Sequence, residues 1–347
     1  MTIQEFVNIR TERRLLQQIF WECTLRCNLN CLHCGSDCHK EDMPKDMPFE
    51  DFAQVLDEVV AEMDSSKILI ITTGGEPLVR NDIAECGREI TRRGFKWGMV
   101  SNGMLLDHIK LNELIAAGLN TIAISLDGFE AEHNWMRGSS LSFQRAVRAI
   151  DCLAKSPIAW DVITCVNRRN YNSIPEFMDF LITHGVKHWR IFTVFPAGRA
   201  KDHDELQLTP DQFRTLLDFI KVVKQTQKIN LSFSCEGYLA GYELEVRDYP
   251  FFCGAGINVA SIRYDGSISG CLSIRSHFDQ GNIYNDSFIN IWKHRFLMFR
   301  EREWMKQNEC ETCKVWNLCR GGAMHLRNEK GKMTGCSYLK IKKANEE

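Results

Sequence analysis

No apolar run in the 347 residues approaches the length of an export signal or a membrane-spanning helix. A helical membrane protein is thereby excluded, and the cytoplasm is the expected compartment. An excess of charge is missing too: 43 Lys and Arg against 45 Asp and Glu leave a formal charge of −2. Neither nucleic acid nor an anionic membrane is therefore an expected partner, and the basic stretch Lys340, Lys342, Lys343 reads as a solvated end. Low-complexity linkers are absent, as is any repeat beyond an alternation of strand-like and helix-like segments. What the chain does have is a 44% hydrophobic composition, enough for one large domain with an appendage, and 15 cysteines. In a reducing compartment such cysteines favour metal ligation over disulfides wherever their spacing fits.

One spacing fits well. Cys27, Cys31 and Cys34 form C-x3-C-x2-C just after a strand-like run. Three thiolates leave one iron of a [4Fe–4S] cube without a protein ligand, free to bind a substrate molecule. A zinc knuckle, or buried thiols acting as small apolar side chains, are the alternatives on these residues alone.

Strand-like runs cover Leu16 to Thr24, Lys67 to Thr73, Phe95 to Ser101, Asn120 to Ser125, Trp160 to Val166 and Lys187 to Val194. Helical spacing recurs between them: Phe52, Leu56 and Val59, then Ile109, Leu114 and Ile115, then Ile174, Phe177 and Leu181. Thr209-Pro210 reads as an N-cap and first turn ahead of Phe213, Leu216, Leu217 and Ile220. Six β-α units in succession imply a parallel sheet with right-handed crossovers, curved like part of a barrel, with ligand groups at the C-terminal strand ends. Those ends carry Thr72 to Pro77, Ser101-Asn102-Gly103, Ser125 to Gly128, Asn167 and Pro196 to Arg199. Glycine there lets backbone approach a ligand, and the polar side chains suit hydroxyl, ammonium and carboxylate groups. After about Gln225 the rhythm changes, Tyr264 to Ser267 reads as a hairpin turn, and cysteines return.

The three-cysteine spacing and the five strand-end motifs resemble the radical S-adenosylmethionine (SAM) superfamily. The later group, Cys253, Gly266-x4-Cys271, Cys310-x2-Cys313-x5-Cys319 and Cys336, resembles that family's C-terminal SPASM extension. The likeness runs from about Phe20 to Cys336. It implies an α/β fold, a partial (β/α)6 barrel over 1–225 and a small α+β iron–sulfur domain over 226–347. It implies that Cys27, Cys31 and Cys34 hold the SAM-binding [4Fe–4S] cluster, with His33 against the adenine. Gly74, Gly75 and Glu76, within the motif that ends at Pro77, would receive the methionine amino group. Ser125 and Asp127 would hold the ribose, Arg137 the SAM carboxylate, Gly198 and Arg199 would lie near the adenine, and Asn102 and Asn167 complete the set.

Cys310, Cys313, Cys319 and Cys336 would hold an auxiliary [4Fe–4S] cluster, although four thiolates satisfy zinc equally. The pattern breaks at Ala323, where the family has a further cysteine. A second auxiliary cluster on Cys253 and Cys271, with Cys235 as a third candidate, is then either absent or open at one iron. Cys23, Cys38, Cys86, Cys152 and Cys165 are expected to pack in cores or loops.

By resemblance, reductive cleavage of SAM would give methionine and a 5′-deoxyadenosyl radical that abstracts a substrate hydrogen, with electrons from a donor such as flavodoxin or ferredoxin. SPASM enzymes most often modify ribosomally made peptides or proteins, which makes a peptide maturase the first expectation. Some twenty residues before the first motif are too few for a winged-helix leader-binding domain. A tetrapyrrole side chain, as in heme-forming relatives, is the second expectation, and a non-enzymatic iron–sulfur or zinc protein the third.

Overall fold

The computed structural model describes Thr2 to Glu346 apart from Lys40, Asp42, Cys235, Arg275, Ser276, His277 and Glu329, with the backbone alone for Asn345 and Glu346. Its strands are β1 (Gln18–Thr24), β2 (Leu69–Gly74), β3 (Lys96–Ser101), β4 (Leu119–Ser125), β5 (Ala159–Val166), β6 (His188–Thr193), β7 (Asn230–Phe233), β8 (Val259–Ile262), β9 (Ser267–Ser269) and β10 (Gly281–Asn282). The helices are α1 (Ile3–Arg13), α2 (Phe49–Glu62), α3 (Ile83–Arg92), α4 (His108–Ala116), α5 (Glu130–Arg137), α6 (Ser142–Leu153), α7 (Ile174–Thr183), α8 (Pro210–Thr226), α9 (Phe288–His294), α10 (Leu297–Arg300), α11 (Trp316–Cys319) and α12 (Ser337–Glu346).

One sheet takes in all these strands, in the order β10-β9-β8-β1-β2-β3-β4-β5-β6-β7. Neighbours from β1 to β7 pair parallel. The six expected strands are all present, with ends within two residues of those read from the pattern. The sheet continues past residue 225, however. β7 adds parallel to β6 at one edge, and β8 adds parallel to β1 at the other, followed by antiparallel β9 and β10. An unpaired edge strand presents a row of unsatisfied backbone groups, and segments from the later part of the chain cover both edges of the six-stranded core. The turn between β8 and β9 is the expected hairpin, with Gly266 at φ +81°.

Helices cover the outer face because each buries one apolar stripe. In α2, Phe52, Val55, Leu56 and Val59 are buried, and Phe52 stacks on Trp21 of β1 with ring centroids 4.5 Å apart. α3 packs flush on β3 through Gly87, where a Cβ would sit 2.1 Å from the Trp97 ring. α8 opens on a capping box between Thr209 and Gln212, with Pro210 in its first turn. Among the described residues, no helix is long and apolar enough to cross a membrane.

Candidate active site

Parallel pairing puts the C-terminal ends of β1 to β6 on one rim. There, a cavity of about 250 Å3 is lined by Cys27, Cys31 and Cys34, by Gly74 and Gly75 after β2, and by Asn102, Ser125, Arg137 and Arg199. The cysteine loop is tied down by close backbone contact. The Gly75 N–H donates to the Thr24 carbonyl (2.8 Å) and the Glu76 N–H to that of Arg26 (3.0 Å). A Cβ at Gly74 would meet the Thr24 carbonyl oxygen at 2.2 Å, and one at Gly75 would meet that of Arg26 at 2.1 Å. Glycine is required at both for this approach, and Gly74 also has φ +125°.

From the far side of the barrel, Gly198 and Arg199 clamp the same loop. A Cβ at Gly198 would lie 2.2 Å from the Cys34 carbonyl oxygen. The Arg199 N–H donates to that carbonyl (3.1 Å), and its guanidinium donates to the carbonyls of Cys31 (2.8 Å) and Cys38 (3.1 Å) and to Asp37 (2.8 Å).

Each of the three sulfurs accepts a hydrogen bond. Cys27 Sγ takes one from the Asn102 amide (3.9 Å), Cys31 Sγ from the Arg137 guanidinium (3.7 Å) and Cys34 Sγ from the Cys38 N–H (3.4 Å). Burial pushes the Cys27 thiol up to about 12. The Cys38 thiol, by hydrogen bonding to Cys34, holds Cys34 down at about 5. Burial raises Cys31 as well, and the donors aimed at the three sulfurs offset that cost by stabilising the thiolate, the form that ligates iron.

Arg137 is fixed by a buried partner. Its Nε donates to Asp127 Oδ2 at 2.7 Å, and Asp127 Oδ1 accepts from the Cys165 N–H at 3.0 Å. Burial penalises the Asp127 carboxylate, but the Arg137 charge outweighs it and holds the group at about 2. Asp127 therefore stands behind Arg137 and outside the cavity wall. Glu76 and Asn167 also stand outside the wall. Glu76 accepts from Ser101 Oγ (2.8 Å), Asn102 N–H (2.7 Å) and Leu78 N–H (3.2 Å), and burial raises it above its ordinary value. Pro77 follows it as the buried first residue of a short 3-10 turn. Asn167 accepts from the Arg169 N–H (2.8 Å) and turns the chain after β5. His33 lies on the cavity wall, and burial lowers it to about 4. Its Nδ1 is buried without a hydrogen-bond partner, an orphan that a bound group would satisfy.

The later cysteines divide. Cys310, Cys313, Cys319 and Cys336 line one small cavity of about 30 Å3. Cys310 Sγ accepts from Arg327 (3.7 Å), and Cys336 Sγ from the Leu339 N–H in the first turn of α12 (3.5 Å). Burial pushes Cys319 up to about 12. Arg320, Gly321 and Gly322 take positive φ in succession, which turns the chain back over this cavity. The two sulfur sets suit iron–sulfur clusters in donor chemistry, in number and in the hydrogen bonds they receive.

Cys253 lies elsewhere, against a cavity of about 10 Å3 whose lining includes Arg300, Arg302 and Cys319 but not Cys271. Burial raises its thiol, yet the Arg302 charge and the Met324 and Ala255 amides bring it below its usual value. Ala323 is buried in the apolar cluster of Tyr238, Phe251 and Leu326 that Cys253 borders. Cys235 lies outside the described residues.

Several of these residues carry no motif. Arg302 and Arg327 beside the later cysteines, and Asn28, which accepts from Asn102 at 2.8 Å, have no signal in spacing. Ser101 does have one, as first residue of a strand-end tripeptide.

Residues 21–181 match the Radical SAM superfamily, and residues 253–314 match the SPASM iron–sulfur cluster-binding domain. Along the sequence the chain is 32% identical to the mycofactocin maturase MftC of Mycolicibacterium smegmatis, covering 88% of this chain and 77% of that protein. It is 28% identical to the AdoMet-dependent heme synthase of Methanosarcina barkeri, covering 87% and 90%. Among solved structures, anSMEcpe with bound AdoMet and a peptide superposes with a TM-score of 0.72 at 18% identity over 95% of this chain and 94% of that one. SuiB of Streptococcus suis bound to S-adenosylmethionine gives 0.69 at 15% identity, over 92% and 77%. The two matched domains imply a SAM-binding [4Fe–4S] cluster together with at least one auxiliary iron–sulfur cluster. The chain belongs to the radical SAM superfamily, in the branch that carries a C-terminal SPASM domain.

Proposed function

We propose that this enzyme modifies a ribosomally made peptide or protein in the cytoplasm by hydrogen abstraction, drawing electrons from a flavodoxin or ferredoxin. The single observation that carries a SAM-cleaving centre is the convergence of Cys27, Cys31 and Cys34 with Gly74, Gly75, Asn102, Ser125 and Arg137 on one cavity. In this reading Cys27, Cys31 and Cys34 hold a [4Fe–4S] cluster which, with SAM bound and an electron supplied, gives a 5′-deoxyadenosyl radical.

The chain's own residues bind and orient. Backbone at Gly74 and Gly75, brought to the cavity without side chains, offers carbonyls to the methionine ammonium. Arg137, aimed by Asp127, offers its guanidinium to the carboxylate. Ser125 takes the ribose, and His33 and Arg199 border the adenine. Glu76 sets the rim by holding Ser101 and Asn102 in place, and Asp127 and Asn167 act as positioning residues. Residues 1–225 make the barrel and 226–347 the auxiliary domain, whose β7 and β8 extend the barrel's sheet at both edges and in which Cys310, Cys313, Cys319 and Cys336 hold an auxiliary cluster. Met324 and His325 of that domain share a cavity with Gly35 and Gly198 of the rim, an arrangement that helps keep water from a reactive intermediate.

Likeness to a mycofactocin maturase over most of both chains supports the peptide reading. The heme synthase matches over a similar share, which favours a tetrapyrrole side chain as the second reading. The test is anaerobic reconstitution, reduction and assay for 5′-deoxyadenosine and methionine. The parent protein should form both, and the triple variant Cys27→Ala, Cys31→Ala, Cys34→Ala neither. Undiminished SAM cleavage in the triple variant overturns the assignment.

A further inference from the structure

Among the described residues, four cysteines line the cavity at the barrel rim, and three of them make up the C-x3-C-x2-C spacing. The fourth is Cys38. It is 2% exposed and lies where the chain is fixed at consecutive positions. Its carbonyl accepts from the Arg199 guanidinium (3.1 Å), and the next carbonyl, of His39, accepts from the Cys27 N–H (2.8 Å). Backbone so held keeps the side chain facing the cysteine loop.

Cys38 meets Cys34 through both its backbone and its side chain. Its N–H donates to Cys34 Sγ at 3.4 Å, and the two side chains hydrogen-bond sulfur to sulfur. The Ser36 carbonyl, 3.9 Å from Cys38 Sγ, is a second acceptor for the thiol. A thiolate carries more charge than a carbonyl oxygen and draws the proton more strongly. When Cys34 ligates iron it has no proton to give, so the hydrogen between the two sulfurs is that of Cys38.

Each sulfur of the set then takes a side-chain donor: Cys27 from Asn102, Cys31 from Arg137 and Cys34 from Cys38. A hydrogen bond to a ligating sulfur withdraws charge from the cluster and favours its reduced state, which is one of the ways a protein sets the potential of such a centre. Ligation of an iron by Cys38 itself fits the geometry less well. Two sulfurs in hydrogen-bond contact are too close together to sit on different irons of one cube.

From this arrangement we propose that Cys38 is a positioning residue of the SAM-binding centre: its thiol donates to Cys34 Sγ and raises the reduction potential of the cluster that Cys27, Cys31 and Cys34 hold. The inference rests on the proposed SAM-cleaving function and adds a means by which the electron is made easier to deliver. The proton stays on Cys38 throughout, and no bond to iron is made or broken by it.

Full-length protein is reconstituted anaerobically as the parent, Cys38→Ala, Cys38→Val and Cys38→Ser. Each is titrated potentiometrically without SAM, and the reduced clusters are read by electron paramagnetic resonance. The signal that changes when SAM is then added marks the SAM-binding cluster, and the auxiliary signal is the internal control. Alanine and valine remove the donor, and each should lower the ratio of reduced to oxidised SAM-binding cluster at a given potential by roughly threefold or more, a shift to more negative potential. Serine keeps a donor and should stay close to the parent, and the control signal should hold its potential in all four proteins. Equal potentials throughout overturn the inference, as does a serine variant that follows alanine. If none of the three variants holds the cluster, the sulfur is needed as a ligand and the inference is overturned; if serine alone holds it, the donor is what the centre requires and the inference stands. A parent in which no signal responds to SAM strikes at the proposed function, whereas a SAM-responsive signal whose potential is indifferent to Cys38 strikes at this inference alone.

Discussion

The loop of Cys27, Cys31 and Cys34 opens on a cavity of about 250 Å3, whereas Cys310, Cys313, Cys319 and Cys336 close on about 30 Å3. The difference lies in how each set is supported. The first set sits on an irregular loop held by backbone contacts from Gly74, Gly75 and Gly198 and by the Arg199 side chain, so its far side stays open. The second is wrapped by its own sequence, with a short helix ending at Cys319, a run of left-handed residues after it and α12 starting behind Cys336. Three ligands with room suit a reactive centre, and four ligands without room suit electron storage or structure.

The comparison breaks most visibly if single cysteines from the two sets behave alike. Cys31→Ala should abolish SAM cleavage. Cys336→Ala should remove about four irons while SAM cleavage without substrate continues. Iron analysis paired with chromatography of 5′-deoxyadenosine reads both. Equal loss of cleavage in the two variants would deny that the sets have separate roles.

Next in size is the buried pair behind the open set. Arg137→Leu removes a hydrogen bond to Cys31 Sγ and leaves Asp127, 1% exposed, without its counter-charge. Breaking such a pair costs about 3–5 kcal/mol. The variant should lose several degrees of thermal midpoint and bind SAM more weakly, and restoring neutrality with Asp127→Asn should recover part of the midpoint but little of the SAM affinity. Recovery of both would make Arg137 a purely structural cation.

A smaller effect should appear with acid. His133 is buried, its Nδ1 accepts the Asp127 N–H at 3.0 Å, and burial holds it at about 3 against an ordinary 6.5. Between those values the unfolded chain takes up a proton that the fold refuses, so stability from this group falls as pH drops below about 6.5. Asp127, depressed to about 2, adds stability that is complete above its ordinary 3.8 and is lost only as pH falls below that. The loss between pH 6.5 and 4.5 is therefore assigned to histidine. The thermal midpoint should decline over that range, and His133→Asn should flatten part of the decline, the rest falling to His33 and His325, which burial also lowers to about 4; an unchanged slope would remove His133 from the account.

Much of this was legible in the sequence because it is local or periodic. Strands alternate with helices at a regular interval, Thr209-Pro210 announces α8, and the glycine-rich strand ends fall on one rim because parallel strands end together. What the sequence hid is long-range. Arg199 reaches the cysteine loop across 168 residues, and β8 joins β1 although more than two hundred positions separate them. Neither has a periodicity to betray it. Polar residues at the rim were equally ambiguous: Ser125 and Asp127 stand two apart in the same motif, yet Ser125 lines the cavity while Asp127 is turned to Arg137. Only the partner decides which way such a side chain serves.

The smallest expected effect is an absence of change, and it concerns Ala323. A second auxiliary cluster needs several sulfurs converging on one space. Among the described residues, which leave out Cys235, Ala323 is instead packed among Tyr238, Phe251 and Leu326, the cavity beside Cys253 is about 10 Å3, and the Cys253 thiol already receives the Arg302 charge and two backbone amides. Reconstituted protein is therefore expected to hold about eight irons, as two cubes, and not about twelve. Cys253→Ala and Cys271→Ala should each leave that number unchanged, where Cys310→Ala should lower it by about four. Mössbauer spectra of the parent and of Cys271→Ala give the sharper reading. A loss of one cube in Cys271→Ala would mean that the hairpin cysteine is a ligand, and it would turn the Ala323 position into an open iron site beside the substrate.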